Sequence, residues 1–399
     1  MSLYTLYCRS FQFVLRASSY ILPWRQPTIF TTNPSMVEQM KSMSISRVLI
    51  VSDQMIVKLG LMQPLLKNLD EQGINYHIFS DTVANPTISN IEAAAKVYQD
   101  TQCDSILAFG GGSPMDCAKG VGARLVRPNK SFAQLKGLLK VRRSLPPFFA
   151  VPTTSGTGSE ATIAAVVTDD KTHEKYAVND PSLVPHYALL DPLLTLGLPP
   201  FITATTGMDA LTHAIEAYIG QSNTANTKAA ATEASQLIAS NLFIAYEQGE
   251  NIEARANMQH ASYLAGVAFT RAYVGYVHAI SHALGGLYSV AHGLANSVVL
   301  PHVLRQYGEV VYPKLAELSL ACGIALPQDN MSEQALKFIR WIEQSNTNMG
   351  IPTHIVELQE SDIAVIVGRA LKEANPLYPV PRIFNRDEMT LVVTKLLAE

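Results

Sequence analysis

The sequence is short of cysteine, of charge of a single sign and of long apolar runs, and each shortage argues against a class of protein. Its four cysteines, Cys8, Cys103, Cys117 and Cys322, lie far apart with no C-x-x-C pair. A disulfide-framed fold and a thiolate zinc site are therefore not expected, and buried free thiols in a reducing, cytoplasmic setting are. Charged residues make up only 16% of the chain and nearly cancel to a formal net charge of −3, with no basic block or acidic tail. Nucleic acid, whose phosphates call for clustered Lys and Arg, is not an expected partner. No stretch reaches the roughly 18 uninterrupted apolar residues that a membrane span needs. The first 22 residues carry Arg9 and Arg16, no acid, and the mostly apolar run from Phe11 to Leu15. A transit peptide shares that composition, but no clean small-residue cleavage site follows. The segment is read as an extension packed on a domain surface.

What the chain has in quantity is apolar side chain, 48% of 399 residues, too much for one comfortable core and enough for two domains. In the first half, short apolar runs recur at nearly even spacing: Val48 to Val51, Tyr76 to Phe79, Ile106 to Phe109, Phe148 to Val151 and Ala188 to Leu190. Helical stretches separate them, one of them read as starting from a capping box at Ser89 with Glu92 three residues on. Alternating strand and helix predicts a parallel sheet covered by helices, a Rossmann-like α/β domain. After Pro199-Pro200 the strand signals fade. Ala-rich helical periodicity takes over, as in the stripe Ala261, Leu264, Ala265 and Ala268. The expected division is an α/β domain over residues 1–195 and an all-helical domain over 196–399.

Gly110-Gly111-Gly112-Ser113-Pro114 follows a predicted strand and opens a predicted helix, with Pro114 read at the first helical position. Glycines allow close approach of a pyrophosphate, and the helix N-terminus favours its charge. The order differs from the G-x-G-x-x-G fingerprint, because the candidate acid, Asp53, precedes the glycines by two strands. A second loop, Thr153-Thr154-Ser155-Gly156-Thr157-Gly158-Ser159-Glu160, follows another strand and is rich in hydroxyls and glycine. Two such loops at strand ends point to a nucleotide crevice.

The helical half carries a different chemistry. Asp209 and His213 stand four residues apart on a predicted helix, so they share a face; His278 and His282 repeat the device, and His292 follows ten residues later. Imidazoles with one carboxylate suit ferrous iron or zinc with a position left for substrate. Spacing alone leaves all five as candidate ligands and does not choose between His278 and His282.

Over roughly residues 45 to 390 the sequence resembles the iron-containing (group III) alcohol dehydrogenase family. The resemblance rests on Asn85-Pro86-Thr87, Gly110 to Asp116, Pro152 to Glu160, Thr206 to Glu216 and Gly266 to Pro301. It implies a dehydroquinate synthase-like architecture, NAD and Fe²⁺ (with Zn²⁺ possible) as cofactors, a small alcohol or aldehyde as substrate, and a homodimer or larger homo-oligomer. By position it makes Asp209, His213, His278 and His292 the metal ligands and His282 a proton-relay residue near the nicotinamide. It also makes Asp53, Asn85, Gly111, Gly112, Ser113, Asp116, Thr153, Thr154, Thr162 and Lys175 the cofactor contacts. A carboxylate at Asp53 would bond the ribose 2′-hydroxyl and repel a 2′-phosphate, favouring NAD.

Some positions depart from the family pattern. Arg271 replaces a small polar residue, Ala283 and Ala291 stand where many relatives have proline, and Ile29 to Met43 lacks the usual glycine turn. Two other readings compete: a zinc-dependent glycerol or polyol dehydrogenase of shared architecture, and a metal- and nucleotide-binding assembly protein without turnover.

Overall fold

A computed structural model of the chain describes residues 3–18, 20, 24–172 and 174–398. It divides into two compact units, Pro23–Gly197 on one side and Met1–Leu22 with Leu198–Glu399 on the other. The first helix, α1 (Leu3–Ser18), thus groups with the helical unit, whereas the sequence reading attached it to the α/β domain. The reason lies in its polar side chains. Arg9 donates to the carbonyls of Val380 (2.7 Å) and Pro381 (2.9 Å), and Gln12 to those of Pro376 (3.2 Å) and Tyr378 (2.8 Å).

The α/β unit runs β1 (Thr28–Phe30), α2 (Asn33–Ser42), β2 (Arg47–Val51), α3 (Gln54–Lys58), α4 (Gln63–Glu71), β3 (Asn75–Phe79), α5 (Ile88–Asp100), β4 (Ser105–Gly110) and α6 (Gly112–Val126). It continues through β5 (Gly137–Leu138), β6 (Phe148–Pro152), β7 (Ala164–Thr168), β8 (Lys175–Asn179) and β9 (Tyr187–Leu189). Six strands form one parallel sheet in the order β1-β9-β6-β4-β2-β3. The pairing of the N-terminal strand, open in the sequence, is with β9, Thr28 opposite Tyr187.

Alternation along the central strands explains the layers. Leu49, Val51, Ile106, Ala108, Phe148 and Ala150 share one core cluster with Ile91 and Ala94 of α5 and Cys117 and Val121 of α6. Val48, Ile50, Leu107, Phe109, Phe149 and Val151 share the other with Met36 and Met40 of α2 and Leu65 and Leu69 of α4. Burying both faces is what makes these strands read as continuous apolar runs. A small second sheet, β5-β8-β7, in which β7 and β8 pair antiparallel, was not foreseen.

Two local readings need correction. Helix α5 is capped by Thr87, not Ser89. The Thr87 hydroxyl accepts from Asn90 N–H, the Asn90 side chain accepts from Thr87 N–H (both 3.2 Å), and Ser89 lies inside the first turn. Pro114 is the third residue of α6 rather than its first, because the helix already begins at Gly112. Its missing N–H is still one of the four that a helix start leaves unbonded.

The helical unit comprises α7 (Pro200–Ile219), α8 (Ala225–Glu247), α9 (Ile252–Ala272), α10 (Tyr276–Tyr288), α11 (His292–Tyr307), α12 (Tyr312–Ala321), α13 (Met331–Asn348), α14 (Ile363–Ala374) and α15 (Arg386–Thr394). Helix α7 is buried almost all round, from Thr203 to Ile219, as a helix at the centre of a bundle must be. Asp209, His213 and Glu216 are therefore held inside the core, where each must find a partner.

Candidate metal and cofactor sites

Three helices assemble the metal candidate. Asp209 and His213 come from α7, His278 from the first turn of α10, and His292 from the first residue of α11. One donor atom from each lies within 4.8 Å of the others. His213 and His278 have ring centroids 4.5 Å apart, His278 and His292 5.3 Å, and His213 stacks on Phe269 at 4.1 Å. Asp209, His213 and His278 are buried, while His292 is partly open to solvent. His282 stands beside the group, stacked on His292 at 5.2 Å, with Nδ1 2.6 Å from Glu373 Oε1.

The close approach of α11 to α7 depends on glycine. A Cβ on Gly293 would stand 2.6 Å from the carbonyl oxygen of Thr205, a backbone atom that cannot swing aside. Gly293→Ala is accordingly expected to push His292 away from Asp209 and cost about 1–3 kcal/mol of stability. A thermal melt paired with metal analysis checks this, and a variant as stable and as metal-rich as the parent contradicts it.

Two residues missing from the sequence reading complete the centre. Glu216 accepts from Gly275 N–H (2.7 Å) and Val277 N–H (2.8 Å), and its Oε2 lies 2.6 Å from His278 Nδ1. In its ionised form Glu216 can only accept, and Nδ1 then carries the proton while Nε2 keeps its lone pair for a cation. Burial pushes the Glu216 carboxyl up to about 8, opposed by those N–H groups. Burial also holds His278 well below the usual imidazole range, helped by the neighbouring histidines, so its lone pair is available. Glu216 was findable, three residues after His213 and on the same helix face. Asn296, one turn after His292, places its amide nitrogen 2.6 Å from Asp209 Oδ1, 3.2 Å from His278 Nε2 and 3.1 Å from His292 Nε2. Three acceptor atoms thus converge on one point of positive polarity, which is the arrangement a divalent cation requires. The donor set, one carboxylate and three imidazoles, fits Fe²⁺ or Zn²⁺.

In the α/β unit Asp53 follows the carboxyl end of β2, Gly111, Gly112 and Ser113 that of β4, and Thr153 and Thr154 that of β6, where open α/β sheets bind ligands. Gly110 adopts φ +148°, outside the range of other residues, and a Cβ on Gly112 would stand 2.9 Å from Thr157 Cγ2. Gly111 lies against Thr154, and Thr153 N–H donates to Gly110 C=O (3.1 Å), so the two glycine-containing loops touch. Lys175 Nζ donates to Asn85 Oδ1 (2.8 Å) and Asn85 N–H to Ser113 Oγ (3.3 Å), which joins three expected contacts into one cluster. Asp53 caps α3 by accepting from Ile56 N–H (2.9 Å), which fixes its carboxylate at the end of β2.

Asp116 and Thr162 are engaged internally. Asp116 accepts from Ser159 Oγ–H and Val166 N–H, both at 3.1 Å. Thr162 Oγ1 accepts from Lys119 at 2.8 Å. Lys119 of α6 is fully buried. It also donates to Ser159 Oγ and to the carbonyls of Thr162 and Ala164. Burial lowers its pKa to about 8, opposed by Asp116 and Glu160, and raises Glu160 to about 7. This buried network stitches the second loop to α6.

Residues 31–192 match the iron-containing alcohol dehydrogenase family, and residues 203–397 match the C-terminal domain of the Fe-containing alcohol dehydrogenase family. The chain belongs to the iron-containing alcohol dehydrogenase family. It is 40% identical to a 1,3-propanediol dehydrogenase of Klebsiella pneumoniae over 351 residues, 87% of this chain and 90% of that one. It is 36% identical to an NAD-dependent methanol dehydrogenase of Bacillus methanolicus, over 84% of this chain and 88% of that one. The crystal structure of a 1,3-propanediol oxidoreductase superposes with a TM-score of 0.90 at 36% identity, covering 94% of this chain and 99% of the other.

Proposed function

We propose that this protein interconverts a primary or small secondary alcohol and its aldehyde or ketone, with NAD as hydride acceptor and Fe²⁺ held by Asp209, His213, His278 and His292. The convergence of those four donors within 4.8 Å, in a chain of this family, carries the reading. When bound, the metal supplies Lewis acidity at the substrate oxygen and the nicotinamide accepts hydride at C4. The chain's own residues do the rest. Glu216 and Asn296 orient the donors; Phe269, stacked on His213, keeps water from one side of the cluster. His282, the partly exposed histidine beside the group, passes the alcohol's proton outward.

Gly111, Gly112, Ser113, Thr153 and Thr154 serve the pyrophosphate and nicotinamide, with Asn85 and Lys175 on the same side. Asp116 and Thr162 contribute through the loop they anchor. The Asp53 carboxylate favours NAD over its 2′-phosphorylated form. A homo-oligomer in the cytoplasm belongs to the same reading, supported by family resemblance and by four cysteines in the free thiol state. Among the described residues no helix is long and apolar enough to cross a membrane.

The test is a panel of linear alcohols and diols offered with NAD or its 2′-phosphate, using protein purified without oxygen and reloaded with Fe²⁺ or Zn²⁺. Reduction of NAD on a short primary alcohol or diol, dependent on added metal and weaker with the 2′-phosphate, is the expected result. Metal and NAD binding without turnover on any substrate would overturn the reading in favour of a binding protein. Strict preference for zinc and a vicinal polyol would favour the glycerol dehydrogenase type.

A further inference from the structure

We infer that Glu373 and Tyr378 form a positioning pair that sets which nitrogen His282 presents to the reaction, and that α1 braces the segment carrying Tyr378. The inference rests on the relay role proposed for His282. His282 lies on α10 and Glu373 near the end of α14, 91 residues apart in sequence. Glu373 Oε1 is 2.6 Å from His282 Nδ1, and the same oxygen accepts from Tyr378 O–H at 2.8 Å. Because a carboxylate oxygen offers no proton, this contact keeps the imidazole proton on Nδ1 and leaves Nε2 free to accept one. Burial holds the Tyr378 phenol well above its ordinary pKa, so it stays a donor and holds the same carboxylate oxygen that His282 meets.

The segment after α14 is held in turn. Gln12 of α1 donates to Tyr378 C=O at 2.8 Å and Arg9 to Val380 C=O at 2.7 Å. On its other side, Phe384 N–H donates to Tyr276 O–H oxygen at 3.0 Å. The segment that carries Tyr378 is therefore anchored to both the first helix and the centre of the bundle. A buried, hydrogen-bonded support of this kind is what keeps an imidazole in one tautomer and one ring orientation.

The experiment uses the full-length, metal-loaded enzyme. Glu373→Ala is expected to lower kcat about 10- to 100-fold, with metal content and the NAD dissociation constant changed less than about twofold. Glu373→Gln, whose amide oxygen can still accept, should recover part of the loss, and Tyr378→Phe should cost only about two- to fivefold. In a His282→Ala background the Glu373→Ala change should have no further effect, since the pair acts through that ring. A readout independent of turnover comes from ¹⁵N-histidine spectra of the zinc-loaded protein, with the His282 signal assigned from its absence in His282→Ala. The Nδ1–H tautomer should dominate in the parent and be lost or mixed in Glu373→Ala.

An unchanged tautomer with kcat within twofold of the parent would overturn the positioning role, as would full additivity in the His282→Ala background. If His282→Ala itself keeps full kcat, the relay reading fails. That result is distinguishable from failure of the pair, because the tautomer is read without catalysis.

Discussion

Replacing His278 with alanine is expected to empty the metal centre and to lower kcat/KM for alcohol oxidation by about three orders of magnitude or more. His278 is buried at the heart of the cluster, within one ring contact of His213 and His292, and no neighbouring imidazole can take its place. His282, the nearest candidate, is tied to Glu373. A Lewis acid contributes several kcal/mol of charge stabilisation at the substrate oxygen, which sets the scale of the loss. NAD binding, followed by fluorescence titration, should survive, because the loops proposed to hold the cofactor belong to the α/β unit. Elemental analysis and steady-state kinetics on one preparation decide the matter. An enzyme lacking metal and still turning over at the parental rate would refute the proposed site.

Loss of Glu216 should be felt twice, in stability and in metal affinity. Glu216→Ala leaves the N–H groups of Gly275 and Val277 buried without their acceptor and frees His278 Nδ1. Each orphaned buried donor costs about 1–3 kcal/mol, so the metal-free protein should lose about 2–5 kcal/mol in a urea or thermal melt. Metal affinity, measured by chelator competition, should fall about 10- to 100-fold, as it does when the carboxylate partner of a ligating histidine is removed. Glu216→Gln separates the two effects. Its amide oxygen still accepts from the backbone, so stability should largely return, while the weaker acceptor leaves His278 less basic and metal affinity below that of the parent. Two variants with equal deficits in both quantities would show that Glu216 acts only as a structural tie.

Much of this was legible in the chain before any coordinates. The four central strands could be read because a sheet buried on both faces demands unbroken apolar runs, and Val48 to Val51 or Ile106 to Phe109 could serve little else. Asp209 with His213, and His278 with His282, were legible because four residues is one helical turn. The glycine loops were legible because only glycine fits positions such as Gly110. Local errors came from competition among polar residues near a helix start. Thr87 with Asn90 won the capping role from Ser89 because it stands one residue ahead of the first helical turn.

What the sequence by itself determined was therefore set by short-range periodicity: the alternation of strand and helix in the main sheet, the helix faces that carry the candidate metal donors, and the glycine-rich loops at strand ends. The tertiary structure decided which faces meet. It brought α7, α10 and α11 together so that His278 entered the donor cluster while His282 turned to Glu373. It placed α1 in the helical unit and set Glu216 and Asn296 against the candidate metal donors and Lys119 beneath the second glycine loop. The reason is physical: a helix's own 3.6-residue repeat dictates which side chains share a stripe. The packing of helices far apart in sequence dictates which stripes touch, and with them the partner that each buried polar atom must find.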